Sequence, residues 1–281
     1  MSEQIVLLTG ATSGIGKATA FGLAQKSFTL ILPVRNLEKG EKIKQEILAK
    51  FPQSQIHLFE CDLADLQSIK IFAENVKKQF SALHVLINNA GVWKNTFTLT
   101  KDGFEQTFAV NHLAHFYLTL LLIDLLQKSA PARVINVASD LHQGDIHFTD
   151  VELRKNYNGL NAYKQSKLAN ILFTRILAEK LKSSQISVNA LMPGFIATDI
   201  FEDLPFFLRW LIPLVAKSPE KGAETTLYLA TEPNLQVTGE YFKNKQRASS
   251  SYQSKNMETA QKLWNLSVQM LEQKGFQVPK L

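Results

Sequence analysis

Much of what would assign this chain to a common class of protein is scarce or missing. Its 281 residues include one cysteine, Cys61, so no internal disulfide can form and a reducing compartment is expected. We interpret Cys61 as a small buried residue rather than a nucleophile. No Pro-, Gly- or Ser-rich linker and no internal repeat divide the chain, and 45% of its residues are hydrophobic. These features predict a single domain over residues 1–281 with a full core.

Long runs of one charge are also missing, and the net charge of +6 is modest. No motif for nucleic-acid binding is present, so we expect no nucleic-acid partner. The six histidines show no spacing with cysteine or carboxylates that demands a metal ion. No metal is therefore predicted.

No room is left for a signal or transit peptide, because a strand-like run begins at residue 4. The apolar stretch 204–215 contains Pro205, Arg209 and Pro213 and is too short to span a bilayer. We therefore expect a cytoplasmic protein, and we leave open a peripheral contact of residues 204–215 with a membrane surface.

What the chain does contain is a tyrosine and a lysine at helical spacing, Tyr163 and Lys167. Residues four apart lie on one face of a helix, one turn from each other. A free tyrosine has a pKa near 10, and lowering it to about 7 needs roughly 4 kcal/mol. One ammonium group about 5 Å away supplies on the order of 3 kcal/mol, so a second positive charge would have to supply the rest.

The same spacing recurs at Tyr241 and Lys245. We interpret that copy as a short strand, in which residues four apart lie roughly 13 Å from each other. We therefore predict that the chemistry belongs to Tyr163, and that replacing Tyr241 costs little activity.

A glycine-rich turn follows the first strand-like run, residues 4–8. Gly10, Gly14 and Gly16 have the spacing G-x-x-x-G-x-G and lead into a helix-like segment over residues 17–26. Such a turn offers backbone N–H groups and the positive end of a helix dipole to a pyrophosphate. The alternative is a plain turn between strand and helix. We favour nucleotide binding, with a set of contacts that also includes Thr12, Ser13 and Ile15.

Two further strand-like runs end in small polar residues. Residues 83–87 lead into Asn88-Asn89-Ala90-Gly91, and residues 132–138 lead into Ser139. Ligands of open parallel sheets bind outside the carboxyl ends of the strands. These residues and the glycine turn are therefore expected to face one crevice.

Strand-like runs alternate with amphipathic helical segments along the chain, at residues 30–32, 56–59, 83–87, 134–137 and 186–191. This alternation predicts an α/β fold in which helices cover both faces of a parallel sheet.

In these motifs the chain resembles the short-chain dehydrogenase/reductase family over about residues 4–245. The resemblance implies a single Rossmann-type, doubly wound parallel sheet of about seven strands. Residues 34–36, 111–116 and 218–223 resemble the retinol dehydrogenase-like branch of the family. The main resemblance is carried by the turn 9–16, Asp62, Asn88-Asn89-Ala90-Gly91, Asn111, Ser139, Tyr163, Lys167, and Pro193-Gly194 with Thr198.

The resemblance implies a role for each candidate catalytic residue. Tyr163 would be the general acid in reduction and the base in oxidation, while Lys167 would lower its pKa and hold the nicotinamide ribose. Ser139 would hydrogen-bond the substrate oxygen, and Asn111 would bind a water that relays protons through Lys167. Taken alone, Ser139 also fits a strand-end capping hydroxyl and Asn111 a helix-interior amide. Asp140 stands where the family often has a second serine.

The end of the second strand indicates which dinucleotide is bound. It has no acidic residue to hold the adenine ribose of NAD(H), whereas Arg35 offers a planar cation that suits a 2′-phosphate. We therefore predict NADP(H). Asp62 is expected to bond the adenine, to cap the following helix, or both. The resemblance adds these cofactor-binding residues: Asn36, Leu63, Asn89, Ala90, Gly91, Tyr163, Lys167, Pro193, Gly194, Ile196 and Thr198.

Large apolar side chains are dense over residues 199–218. A buried helix pair is one interpretation. We favour a substrate-binding lid over an apolar pocket, with Phe206, Phe207 and Trp210 at the substrate. A C-terminal helix is predicted over residues 254–275.

The leading hypothesis is an NADP(H)-dependent oxidoreductase for a small hydrophobic alcohol or carbonyl compound, such as a retinoid, steroid or aliphatic aldehyde. Two alternatives stay open: an enone or ring reductase of the same superfamily, and a non-catalytic dinucleotide-binding sensor. Loss of the tyrosine or lysine would mark a sensor, and both residues are present. The sequence is also compatible with a homo-oligomer.

Overall fold

A sheet of mainly parallel strands forms the centre of the structure, a computed structural model that describes residues 4–194 and 218–281. The strands are β1 (Ile5–Leu8), β2 (Thr29–Val34), β3 (Ile56–Glu60), β4 (Val85–Asn88), β5 (Ala132–Val137), β6 (Ile186–Met192), β7 (Tyr241–Lys243) and β8 (Gln246–Arg247). The helices are α1 (Gly14–Gln25), α2 (Leu37–Lys50), α3 (Leu66–Gln79), α4 (Gln106–Phe108), α5 (Ala114–Leu121), α6 (Ile123–Lys128), α7 (Gly159–Lys180), α8 (Pro219–Thr231) and α9 (Met257–Glu272). A π-helical turn (Ala109–Leu113) joins α4 to α5, and a 3-10 turn (Gln253–Lys255) precedes α9.

The described strands form one sheet in the order β3-β2-β1-β4-β5-β6-β7-β8. Neighbouring strands are parallel, except that β7 and β8 form an antiparallel hairpin. The predicted parallel sheet is confirmed. The strand beyond the expected seven is β8, whose two exposed residues carry no hydrophobic pattern from which to predict it. Successive strands are added on one side of β1 up to β3 and on its other side from β4 onwards, which opens a crevice at the carboxyl ends of β1 and β4.

Helices cover both faces of the sheet, as predicted. Leu7 of β1 packs in a hydrophobic cluster with residues of α3, α5, α7 and α9. Its neighbours Val6 and Leu8 point to the other face and pack with residues of α1, α2 and α8. Because alternate side chains of one strand enter two separate cores, β1 is buried on both sides and ties the two helical layers together.

The C-terminal helix α9 closes the first of these two faces. It packs along α7, and the ring of Trp264 lies 4.9 Å from that of Phe116 in α5. The side chain of Asn256 caps the helix by accepting a hydrogen bond from the N–H of Thr259. The helix is shorter than the predicted 254–275, because a 3-10 turn occupies its expected first residues.

Candidate active site

The glycine turn joins β1 to α1 at the middle of the sheet. Gly10 has a φ of 71°, a left-handed conformation that strains other residues. A Cβ atom on Gly16 would collide with the carbonyl oxygen of Gly10, so the close approach of helix and strand requires glycine. Among the described residues no side chain caps α1 at Ser13, which leaves its first N–H groups directed at the crevice. This turn fits the pyrophosphate of a dinucleotide.

The buried threonine before this turn, Thr9, fastens it to the end of β4. Its Oγ1 accepts hydrogen bonds from the backbone N–H groups of Asn89 and Ala90, each at 2.9 Å. Nδ2 of Asn89 donates in return to the carbonyl oxygen of Thr9 at 2.8 Å. The two segments predicted to contact the cofactor therefore form one continuous edge of the crevice. Sequence reasoning gave Thr9 no role of its own, although its place between an apolar strand and the first glycine was visible.

Arg35 and Asn36 follow β2 and are exposed. The side chain of Asn36 accepts a hydrogen bond from the N–H of Lys39 at 2.8 Å and caps α2, which leaves Arg35 as the charged group at this strand end. The end of β2 therefore carries an exposed cation and no carboxylate.

Asp62 lies after β3, with Leu63 next to it. Its carboxylate accepts a hydrogen bond from the N–H of Ala64 at 2.9 Å, whereas the cap of α3 is Asp65. The capping hypothesis for Asp62 is therefore wrong. The chain makes a turn between Asp62 and Asp65 before the helix starts, so the capping position falls three residues later.

The residues predicted to carry the chemistry meet at the carboxyl end of β5. Tyr163 and Lys167 lie on one face of α7 and are only 8% and 2% exposed. The side chain of Ser139 lies near enough to the Tyr163 hydroxyl to act on its pKa, which it lowers. Nζ of Lys167 lies 5.5 Å from the centroid of the Tyr163 ring and donates to the carbonyl oxygen of Val137 at 3.1 Å. The structure thus brings all three side chains together.

Burial is the largest influence on the pKa values of Tyr163 and Lys167. It raises the pKa of Tyr163 to about 12, although the Ser139 side chain acts in the opposite direction. It also lowers the pKa of Lys167 to about 8. Desolvation of the buried phenolate therefore acts against the lowering expected from Lys167 and a bound, positively charged nicotinamide, and that lowering stays a prediction. At neutral pH, Tyr163 is a proton donor.

Asn111 lies in the π-helical turn, and its side chain makes three hydrogen bonds. Oδ1 accepts from the N–H of Val92 at 2.7 Å, and Nδ2 donates to the carbonyl oxygen of Val92 and to Oγ of Ser166, each at 2.9 Å. Oγ of Ser166 donates in turn to the carbonyl oxygen of Tyr163 at 2.8 Å. The side chain therefore satisfies backbone groups, as the helix-interior alternative held, and a water at Asn111 could bind only to an acceptor, either the main-chain carbonyl or the second lone pair of Oδ1.

Trp93, a residue that sequence reasoning missed, covers one face of Tyr163. The two rings are nearly parallel, with an angle of 17° and centroids 4.8 Å apart. Nε1 of Trp93 donates to Oδ1 of Asn95 at 3.1 Å, which fixes the indole. A tryptophan two positions after Gly91 was the available signal, since that motif ends a strand at the crevice.

A second missed group of contacts surrounds the backbone of Ser139. The hydroxyl of Tyr241 in β7 lies 3.2 Å from the Ser139 carbonyl oxygen and 3.1 Å from Oδ1 of Asp140. Lys243 pairs with Oδ2 of Asp140 at 2.6 Å, and Nδ1 of His142 bonds to the same Ser139 carbonyl. Tyr241 is in a strand, as predicted. Asp140, the departure from the family pattern, holds that strand against the serine.

Pro193 and Gly194 follow β6 at the same edge of the sheet. The other predicted contacts of this region lie outside the described residues: Ile196 and Thr198 at the cofactor, and Phe206, Phe207 and Trp210 at the substrate. Nearly all of the predicted lid over 199–218 and the membrane contact over 204–215 lie outside them too. These stay predictions.

Cys61 is buried, and burial raises the pKa of its thiol to about 12, which makes it a poor nucleophile. In residues 4–194 and 218–281, no group of three or more His, Cys, Asp or Glu side chains is placed to hold a metal ion. No helix in those two stretches is both long and apolar enough to cross a bilayer.

Comparison with known proteins identifies the class to which this fold and site belong. A model of the short chain dehydrogenase family matches residues 4–205. The chain belongs to this family, and it is therefore an oxidoreductase by descent.

The relatives of the chain define its branch. It is 40% identical to human retinol dehydrogenase 11 and 41% identical to mouse retinol dehydrogenase 12, in each case over 95% of this chain and 86% of the relative. The predicted retinol dehydrogenase-like branch is confirmed. A solved structure of an uncharacterised protein from Mycobacterium paratuberculosis has a TM-score of 0.80 and 33% identity, and the match covers 99% of this chain and 95% of that one.

We expect Tyr241→Phe to lower the free energy of unfolding by about 1 kcal/mol, because it removes one buried hydroxyl that bonds Ser139 and Asp140. Most of the turnover should remain, since the substitution leaves the Ser139 hydroxyl in place. Urea unfolding and steady-state kinetics measure the two effects.

Tyr228→Phe is the matched control for this change. Tyr228 packs its ring 6.4 Å from that of Phe242, and no hydrogen bond of its hydroxyl occurs within the described residues. Tyr228→Phe should therefore lower the urea midpoint less than Tyr241→Phe does. Equal losses in the two variants, or a Tyr241→Phe protein as stable as wild type, would contradict the assignment.

Proposed function

We propose that this protein transfers hydride between NADP(H) and the carbon of a hydrophobic alcohol or carbonyl compound. The observation that carries the proposal is the group of Ser139 and the buried Tyr163 and Lys167, which lies at the same sheet edge as the glycine turn. Among the described residues Lys167 has no acidic partner, and a lysine is rarely this buried without one, so its place beside a phenol calls for a functional reason.

The protein's groups would handle the proton while the bound nicotinamide supplies or accepts the hydride. In reduction, the Tyr163 hydroxyl donates its proton to the substrate oxygen, and Oγ of Ser139 hydrogen-bonds that oxygen. In oxidation, the Tyr163 phenolate takes the proton of the alcohol. A pKa raised to about 12 keeps Tyr163 protonated at neutral pH, as the proton donor in reduction must be.

Lys167 stabilises the phenolate that remains after the proton has left. Its Nζ lies 5.5 Å from the ring centroid in a site that excludes water, where Coulomb attraction is stronger than in solution. The ammonium must keep its charge for this role. The pKa of about 8 means that it does so at neutral pH but not at high pH.

The NADP(H) preference is proposed from the end of β2. Arg35 is exposed there, and its planar guanidinium matches the oxygens of an adenosine 2′-phosphate. Asn36, the next residue, is occupied as the cap of α2 and adds no negative charge that would repel the phosphate.

The hydrophobic nature of the substrate is proposed from the residues next to the reacting groups. Trp93 stacks on Tyr163, so a substrate whose oxygen meets the Tyr163 hydroxyl also meets an indole surface. Leu141, two residues after Ser139, is 38% exposed. Relatives that share about 40% identity are retinol dehydrogenases, and retinol is a hydrophobic alcohol. A panel of retinal, a steroid ketone, a quinone, a cyclic enone and medium-chain aldehydes, followed by NADPH absorbance, tests the class.

We predict that Tyr163→Phe lowers turnover by about 10³-fold or more, because the proton donor is lost. The affinity for NADPH should stay nearly unchanged, since the ring and its stacking on Trp93 remain. Steady-state kinetics and fluorescence titration with NADPH measure the two quantities. A variant that keeps wild-type turnover would exclude Tyr163 as the acid, and the control Tyr157→Phe should retain it.

Arg35→Gln should weaken NADPH binding by about 1.5–3 kcal/mol, the usual loss for a charged hydrogen bond, and leave NADH binding almost untouched. Lys42→Gln, which removes one positive charge from the exposed side of α2, is the matched control. Wild-type protein that binds NADH as tightly as NADPH would overturn the assignment of Arg35.

The rate of carbonyl reduction should fall as the pH rises through about 8, where Lys167 loses its proton. The rate falls rather than rises because Tyr163 stays protonated to about pH 12, so the loss of the Lys167 charge is the first change that weakens the site as the pH increases. A pH profile of kcat at saturating NADPH measures this. A flat profile up to pH 9.5 would be inconsistent with the role given to Lys167.

A further inference from the structure

Another buried side chain, His115 in α5, lies between the glycine turn and the π-helical turn that carries Asn111. It is 2% exposed. Its Nε2 lies 3.0 Å from Oγ1 of Thr9, and its Nδ1 lies 3.2 Å from the carbonyl oxygen of Asn111. One ring thus contacts the residue before the glycine turn and the main chain of a candidate catalytic residue.

The hydrogen bonds of Thr9 determine which nitrogen of His115 carries the proton. Oγ1 of Thr9 already accepts from the N–H groups of Asn89 and Ala90, so its two lone pairs are in use. Its own proton must therefore be donated, and Nε2 of His115 at 3.0 Å is nearer than the carbonyl oxygen of Ile87 at 3.4 Å. Nε2 is then the acceptor, and Nδ1 carries the proton.

That proton is directed at the carbonyl oxygen of Asn111. Both N–H groups of the Asn111 amide are used on Val92 and Ser166, so this side chain has no donor left for a water, and the main-chain carbonyl is the acceptor that His115 contacts. Burial lowers the pKa of His115 to about 4, which keeps the ring neutral and the tautomer fixed across the physiological range. A protonated ring would offer Thr9 a donor where Thr9 needs an acceptor.

We propose that His115 is a positioning residue that aligns two parts of the site at once. Its Nε2 holds Thr9 and with it the glycine turn, and its Nδ1–H orients the carbonyl group of Asn111. The inference rests on the proposed oxidoreductase function. The two bonds have separable effects. The bond to Thr9 sets the geometry of the loops that meet the dinucleotide, and the bond to Asn111 orients the carbonyl at which a proton-relaying water would bind.

The two bonds can be separated with two conservative variants. The amide of glutamine reaches about as far as Nε2 of histidine, and its oxygen can accept from Thr9; the amide of asparagine reaches about as far as Nδ1, and its nitrogen can donate to the Asn111 carbonyl. His115→Gln should bind NADPH within about twofold of wild type but lose about five- to tenfold in kcat, as expected for one lost buried hydrogen bond. His115→Asn should show the reverse: an NADPH Kd raised about five- to tenfold, and kcat at saturating NADPH within about twofold of wild type.

The matched control is His112, one helical turn before His115. It is 1% exposed, and its Nε2 lies 2.9 Å from Oγ of Ser267 in α9, which is on the side away from Thr9. His112→Gln and His112→Asn should lower the urea midpoint without splitting kcat from NADPH affinity. A purely structural role of His115 would give the same pattern in its own variants.

The solvent isotope effect on kcat is a further readout, which should rise in His115→Gln only. The proposal is overturned if both His115 variants lose kcat and affinity together, if neither loses either, or if the His112 variants give the same split. If wild-type protein turns over no compound of the panel, the proposed function fails. The NADPH titrations then decide the inference, because unchanged Kd values in His115→Asn would overturn it.

Discussion

The hydroxyl of Thr9 is the contact on which the arrangement of this site depends. Two backbone N–H groups after β4 donate to it, and it donates in turn to His115 at the start of α5. It therefore holds together the ends of two strands and one helix at the place where the sheet opens. Because all of its partners are buried or half-buried, each bond forms in a medium of low dielectric constant, where an unmet polar group is costly. The glycine turn, the segment after β4 and the π-helical turn keep their relative positions through this one oxygen atom.

Local patterns in the sequence predicted the local parts of this structure. The alternation of apolar runs gave the sheet and its two helical layers, and the four-residue spacing placed Tyr163 and Lys167 on one face of α7. The contacts that complete the site are not local: Thr9 and His115 are 106 positions apart, and Tyr241 and Ser139 are 102 apart. No periodicity in the sequence indicates a contact between residues so far apart. The direction of the Tyr163 pKa was also out of reach, because it is set by burial, and the sequence shows spacing and charge but not the exclusion of water.

The site also differs from the rest of the chain in its buried polar side chains and in its helix geometry. Lys167 is buried with a backbone carbonyl as its hydrogen-bond partner, and two histidines are buried on one short helical segment. The helix itself widens to a π turn at Asn111, a feature that is rare and frequently found at functional sites. Each departure costs stability, and the well-packed cores on both faces of the sheet supply the excess that allows them to persist.

The position of α9 has a consequence for the synthesis of the chain. Its residues Leu263, Trp264 and Leu271 complete a hydrophobic cluster that already contains Leu7 of the first strand. Because α9 is synthesised after the sheet strands and α7, the faces of Phe116 and Phe173 that Trp264 covers stay uncovered until α9 has folded against them. Until then the chain carries exposed apolar surface of the kind that promotes aggregation.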